Sequence, residues 1–222
     1  MQSQGSVAIA MLEEASGAVS VEEFQRAGVA RTTVQRLVDG KMAVRVAVGH
    51  FALPGKIDIM DEDWVAFALQ VPRGVLGLLT AAVHHEMTQE HAVALQAFVP
   101  RDRGTRVKLP GNTLLTLITS RNPDFLEAGV ETLRRSGTDI RVTSKERTLL
   151  DMFLFSPFNS ATTKLTVKIP EESFLDSLNR CVVDPEFSFD ELHELAETFG
   201  CASKIAPFTK TLRFGASQAN IY

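Results

Sequence analysis

The chain has 222 residues, of which 45% are hydrophobic and 23% are charged, and its formal net charge is −4. This length and mixture are typical of one or two globular domains with a buried core, and they exclude a collagen-like or low-complexity protein. The apolar runs fall well short of the roughly 20 residues that a membrane-spanning helix needs. The N-terminus has no basic region ahead of an apolar one, so we expect no secretory signal, no membrane contact and a cytoplasmic location.

Positive charge is concentrated in one short segment of this acidic chain. Between Arg26 and Lys56 there are six basic residues and one acidic residue, a local net charge of +5, so the remainder carries −9. A basic island in an acidic chain is expected when one small module contacts nucleic-acid phosphates and the rest of the protein does not.

Three short helices are predicted at the start of the chain. Residues 5–15 favour a packed helix, and Ser20-Val-Glu-Glu23 has the pattern of a capping box that opens a second one. The spacing of apolar residues predicts a third helix over Arg31–Asp39, with Gly40 as the residue just past its end.

The apolar period then changes from that of a helix to that of a strand. Val44–Val48 alternates, Gly49-His50 supplies a turn, and the chain returns through Phe51–Leu53. Three helices closed by such a hairpin predict a winged helix-turn-helix domain over residues 1–56.

Residues 57–222 predict a mixed α+β domain that ends in helices, so the predicted fold class of the whole chain is α+β. The predicted helices are Glu62–Gln70, Val75–His85, one opened by a capping box over Thr143–Glu146, Pro170–Val182, Ser188–Phe199 and Ser203–Arg213. The predicted strands are Ala92–Val99, Val107–Leu109, Leu114–Thr119, Glu131–Arg135 and Ile140–Val142.

In a helix-turn-helix the second helix of the pair enters the major groove of DNA, and its exposed side chains contact base edges. Arginine suits guanine, glutamine suits adenine, and threonine suits phosphate or the thymine methyl group. The residues predicted to contact bases are Arg31, Thr32, Thr33, Gln35 and Arg36. The residues predicted to contact the DNA backbone or minor groove are Arg26, Lys41, Arg45 and His50.

Three stretches of the chain, in order, resemble a known family. They are "GVARTTVQRLVDGKMAVRVAVGHFALPG", "VPRGVLGLLTAAVHHEMT" and "IRVTSKERTLLDMF". Together these stretches look like the AbiEi-type antitoxins of bacterial abortive-infection modules. The most distinctive stretch is the third, a strand that runs into a helix.

The resemblance implies a specific function. The N-terminal domain would bind inverted repeats in its own promoter and repress the operon, and the C-terminal domain would carry the antitoxic activity. The antitoxin would oppose a nucleotidyltransferase-like toxin without forming a stable complex with it. The motif residues that the resemblance places in the antitoxin domain are Thr143, Ser144, Glu146, Arg147, Thr148 and Asp151.

Two other stretches of the sequence contain residues that could carry chemistry. The sequence "HHEMTQEH" lacks the His-Glu-x-x-His spacing of a zinc protease, which favours a helix end with two exposed histidines. Arg147 and Asp151 are four residues apart, as expected for an intrahelical ion pair, and no nucleophile–base pair indicates an enzyme. We therefore expect no metal site and no cofactor. An enzyme that uses residues 143–151 remains a rival hypothesis.

A second basic cluster lies after the predicted strand Ala92–Val99. It comprises Arg101, Arg103, Arg106 and Lys108, and we expect an exposed, solvated loop there rather than a second nucleic-acid contact. The alternative function is that of a winged-helix regulator that senses a small ligand and has no toxin partner.

The two cysteines, Cys181 and Cys201, lack metal-binding spacing, and we expect both to be reduced.

Overall fold

The protein is described by a computed structural model that covers residues 3–90, 92–101, 107–109, 111, 113–159 and 167–209. It belongs to the α+β class and has helices at its C-terminal end, which confirms the predicted fold class. The chain forms two compact units. The first unit comprises Met1–Gly74, Gly104–Thr113 and Thr132–Ile140, and the second comprises Val75–Arg103, Leu114–Glu131 and Arg141–Tyr222.

The first unit contains a winged helix-turn-helix. Its elements are α1 (Gln4–Glu14), β1 (Val19–Ser20), α2 (Val21–Arg26), α3 (Arg31–Asp39), β2 (Val44–Ala47), β3 (His50–Ala52) and α4 (Glu62–Gln70). The helices α2 and α3 form the helix-turn-helix pair, and β2 and β3 form the wing. The small strand β1 completes an antiparallel sheet in the order β1-β3-β2.

A single apolar cluster holds the three N-terminal helices on the wing. Leu12, Phe24 and Val34 are almost completely buried and pack with Leu37 and Phe51. The predicted capping box at the start of α2 is present, because Ser20 accepts the N–H group of Glu23 and Glu23 accepts that of Ser20.

The second unit contains most of a five-stranded sheet and the C-terminal helices. Its elements are β4 (Val75–Leu76), α5 (Leu78–His84), β5 (Ala94–Val99), β6 (Leu114–Thr119), α6 (Asp124–Glu127), β7 (Val130–Arg135), β8 (Thr138–Thr143), α7 (Lys145–Leu154), α8 (Glu171–Val183) and α9 (Phe189–Thr198). Residues 202–209 are also helical. The strand order is β6-β5-β4-β8-β7, and residues 132–140 of the β7–β8 hairpin belong to the first unit.

The first unit continues beyond Lys56, where the sequence placed the domain boundary. Within this unit the hydroxyl of Ser136 donates to Asp61 at 2.8 Å and accepts the N–H group of Asp58 at 3.1 Å. The guanidinium of Arg135 lies 4.6 Å from the centroid of the Trp64 ring. These contacts connect the segment after the wing to the hairpin tip, which is distant in sequence.

Two predicted elements differ from those observed. The apolar run predicted as one helix from Val75 begins as β4, because Val75 and Leu76 pair with β5, and α5 starts only after Gly77. A Cβ atom on Gly77 would lie 2.6 Å from the Phe98 ring, so the close packing at this bend requires glycine. Residues 107–109 are not in a strand.

The helix predicted at Ser203–Arg213 spans residues 202–209, and its remainder lies outside the described residues, as do Arg103 and Arg106 of the second basic cluster. Among the helices that the structure describes, none has the length and apolar character needed to cross a bilayer.

Candidate nucleic-acid interface

The start of α3 is fixed by a residue from α1. Ala30 at the N-cap position offers no side-chain cap. The side-chain oxygen of Gln4 instead accepts the N–H group of Ala30 at 3.2 Å and the hydroxyl of Thr33 at 3.0 Å. Thr33 is half-buried as a result, so of the five predicted base-contacting residues it is the one held toward the protein. Sequence reasoning missed Gln4, because no local pattern connects residues so far apart.

The outer face of α3 carries the other four predicted base-contacting residues. Arg31, Thr32, Gln35 and Arg36 are all exposed, whereas Val34 and Leu37 are buried in the core. Positions 31 and 35, like positions 32 and 36, are one helical turn apart and therefore lie on the same side of the helix. The outer face presents two cations and two hydrogen-bonding side chains together.

The wing and α3 are joined by a chain of polar side chains. Arg45 on β2 donates from Nη2 to Oε1 of Gln35 at 2.9 Å, and Nε2 of Gln35 donates to Oδ1 of Asp39 at 2.8 Å. The Arg45 guanidinium also lies 5.7 Å from the centroid of the Phe51 ring. These contacts orient the Gln35 amide and hold the Arg45 charge at the base of the wing.

Several cations of the first unit have no side-chain partner among the described residues. Arg31, Arg36 and Lys41 are exposed and form no ion pair or side-chain hydrogen bond within the described part of the chain. The remaining predicted residues lie apart from the face of α3. Arg26 is exposed at the end of α2, and His50 is half-buried at the wing turn, where Nδ1 is 3.1 Å from the Val48 carbonyl oxygen.

Lys41 occupies a backbone position that usually requires glycine. Its φ of 58° is left-handed, whereas Gly40, the residue predicted for this position, has an ordinary φ of −79°. The Lys41 N–H group donates to the Val38 carbonyl and the Met42 N–H group to the Leu37 carbonyl, so α3 ends in a Schellman motif. The equivalent turn after α2 has a glycine, Gly28, with a φ of 77°.

Replacing Lys41 by glycine is expected to stabilise the protein by about 1 kcal/mol, because a left-handed backbone costs a residue with a Cβ atom roughly that much. Urea unfolding of the full chain measures the change. The matched variant Gly28→Ala places a Cβ atom in the same kind of turn and is expected to lower the unfolding free energy by a similar amount. A destabilised Lys41→Gly variant would contradict this account of the turn.

The motif residues of the second unit lie at the end of β8 and in the first turns of α7, and all of them except Ser144 are buried. Arg147 is fully buried, and its Nε donates to Oδ1 of Asp151 at 2.9 Å, which confirms the predicted intrahelical ion pair. Its Nη1 donates to the Asp124 carbonyl at 3.1 Å and to the Ala128 carbonyl. Its guanidinium carbon also lies 4.3–5.5 Å from three ring centroids, those of Phe98, Phe125 and Phe199.

The predicted capping box over Thr143–Glu146 is wrong. Ser144 caps α7 by accepting the Arg147 N–H group, while the Thr143 hydroxyl pairs with that of Thr148 at 2.7 Å. Glu146 turns away from the helix end and accepts the Ser188 N–H group at 2.9 Å. A contact 42 residues away in sequence therefore replaces the local one.

Asp151 and Arg147 are an incompletely satisfied pair. Burial raises the pKa of Asp151 to about 6, although the neighbouring Arg147 charge opposes the shift. Oδ2 of Asp151 and Nη2 of Arg147 have no hydrogen-bond partner among the described residues. A buried pair of this kind contributes little net stability but is costly to break on one side.

Removing one partner of this pair is expected to destabilise the protein by about 3–5 kcal/mol, because the other charge stays buried without compensation. Asp151→Asn and Arg147→Met test the two sides separately in urea unfolding. The double variant Arg147→Met/Asp151→Leu is expected to be more stable than either single variant. Strictly additive losses in the double variant would show that the two side chains are not coupled.

Comparisons with known proteins reveal a shared fold. No protein-family model matches the chain. No curated protein matches it significantly. The crystal structure of the RV2827C protein of Mycobacterium tuberculosis is similar over 89% of this chain and 72% of its own, with a TM-score of 0.56 and 15% sequence identity. At this identity the similarity extends to the fold alone.

Proposed function

We propose that the protein is a DNA-binding transcriptional repressor and the antitoxin of a bacterial abortive-infection operon. In this proposal it acts in the cytoplasm and binds inverted repeats in its own promoter. The observation that carries the DNA-binding part is the exposed face of α3, where Arg31 and Arg36 have no protein partner in the described chain. Exposed cations that are not neutralised within the protein are available to DNA.

In this proposal α3 lies in the major groove and the wing follows the backbone. Arg31 and Arg36 contact guanine edges, while Gln35 presents the amide that Arg45 orients toward adenine. Lys41, Arg45 and Arg26 contact phosphates, which fix the register of the protein on the duplex. Thr33 contributes to the position of α3 through Gln4 rather than by contacting a base.

The antitoxin part of the proposal rests on the resemblance of the α7 region to AbiEi-type antitoxins. The second unit would oppose a nucleotidyltransferase-like toxin without a stable complex. We assign no catalytic role to α7, because the side chains of Arg147 and Asp151 have no exposed surface with which to reach a substrate. Co-expression with the nucleotidyltransferase-like gene of the same operon tests this part: growth is restored, and the two proteins do not co-purify.

A winged-helix regulator that senses a small ligand is the second candidate. The observation that favours it is a cleft of about 390 Å³ in the second unit, lined among others by Lys145, Arg180 and Cys181. A metabolite that raises the melting temperature and also changes operator affinity would support this candidate over the antitoxin.

Substituting Arg36 by alanine is expected to weaken operator binding by about 1–3 kcal/mol, or roughly 5- to 150-fold, because one base contact is lost. Fluorescence anisotropy with a labelled promoter duplex measures the affinity, and a scrambled duplex measures nonspecific binding. Arg134→Ala is the control, since it removes the same charge from an exposed position that pairs with Asp139. Equal losses in the two variants would reject the assignment of Arg36 to the DNA interface.

A further inference from the structure

Three potential metal ligands meet in the second unit where α5 ends beside β7. His84 is the last residue of α5, His85 follows it, and Glu131 lies on β7. Nε2 of His85 is 3.7 Å from Oε1 of Glu131, the two imidazole centroids are 4.9 Å apart, and the three ligand atoms all lie within 4.8 Å of one another. We propose that these three residues bind a divalent transition-metal ion of the Zn²⁺ class.

The two histidines are not the exposed pair that the sequence predicted. The His85 side chain is only 7% exposed, and its Nε2 is 2.7 Å from the Thr143 carbonyl oxygen, to which it donates. A Schellman motif after α5, with Glu86 in the left-handed conformation, ends the helix directly after His85. The helix end therefore fixes the backbone of both histidines before any ion binds, whereas the Nε2 hydrogen bond to Thr143 is exchanged for the ion.

The donor set suits Zn²⁺ chemically. Two imidazole nitrogens and one carboxylate oxygen are ligands that Zn²⁺ prefers, and a set of three leaves one coordination position for water. Zinc ligands at about 2.0–2.1 Å from the ion lie roughly 3.3 Å apart, so the side chains need to move inward by about 1 Å. An ion at Nε2 replaces the hydrogen bond to Thr143, and the single imidazole proton moves to Nδ1, so the ring stays neutral.

An ion can reach the proposed ligands from solvent, because His85 lines the cleft of about 390 Å³.

The two basic side chains that line this cleft are paired with carboxylates. Lys145 pairs with Asp184 at 2.6 Å and with Glu186 at 3.3 Å. Arg180 pairs with Asp176 at 3.1 Å.

The sequence alone does not indicate this metal site, because its ligands are distant from one another along the chain. The zinc-protease motif needs a second histidine one helical turn further along the same helix, and in "HHEMTQEH" that position is occupied by Gln89. Glu131 is 46 residues beyond His85 and becomes a neighbour only through the sheet. The proposal is independent of DNA binding, so neither result decides the other.

The test is a titration of the chelator-treated full chain with Zn²⁺, followed by calorimetry and thermal unfolding, and with Co²⁺, followed by its visible absorption. We expect one ion per chain and a higher melting temperature. His84→Ala and Glu131→Gln are expected to weaken binding at least tenfold, because each removes a ligand.

His193→Ala is the matched control. His193 and Glu197 form an exposed His–Glu pair on α9 with a similar separation of 3.5 Å, and no second histidine is grouped with them among the described residues. This variant is expected to bind the ion as the unmodified chain does. Absence of binding, or binding that His84→Ala and Glu131→Gln leave unchanged while circular dichroism shows both variants folded, would overturn the proposal.

Discussion

The burial of one face of α3 determines what the first unit can present to a partner. Val34 and Leu37 lie in the core with Phe24 and Phe51, and burying each such side chain stabilises the fold by about 1.5–3 kcal/mol. This burial fixes the rotation of α3 about its own axis. A rotation by one position would bury an unpaired Arg36, at a cost of several kcal/mol. The apolar residues therefore keep the cations of α3 facing outward.

The two units use arginine in opposite ways. Arg147 is enclosed by carbonyl groups, a carboxylate and three aromatic rings. Its guanidinium group therefore binds α7 to the neighbouring elements. Arg36 is exposed on a helix whose other face is apolar. Its guanidinium group forms no ion pair or side-chain hydrogen bond with the described residues. This contrast supports the proposed DNA contact of the first unit and gives the motif helix of the second unit a structural role.

Local patterns predicted the winged helix well, because helix and hairpin periods, a capping box and short turns are all encoded by neighbouring residues. The bounds of α3 match the prediction, and four of the five residues predicted to contact bases are exposed. Features that depend on distant residues were missed. Gln4 holds Thr33 across 29 residues, β4 forms because β5 pairs with it, and Glu131 reaches His85 through the sheet. The turn at Lys41 was predicted one residue too early, because glycine is the usual occupant of such a turn.

The most direct measurement of the central claim is an amide NMR titration of the protein with a duplex of its own promoter. The account predicts that the largest shifts lie in α3 and the wing, from Arg31 to His50, and that they disappear in high salt as phosphate contacts are screened. Shifts confined to the second unit, or no saturable shifts with the promoter duplex, would contradict the assignment of α3 as the DNA-binding helix.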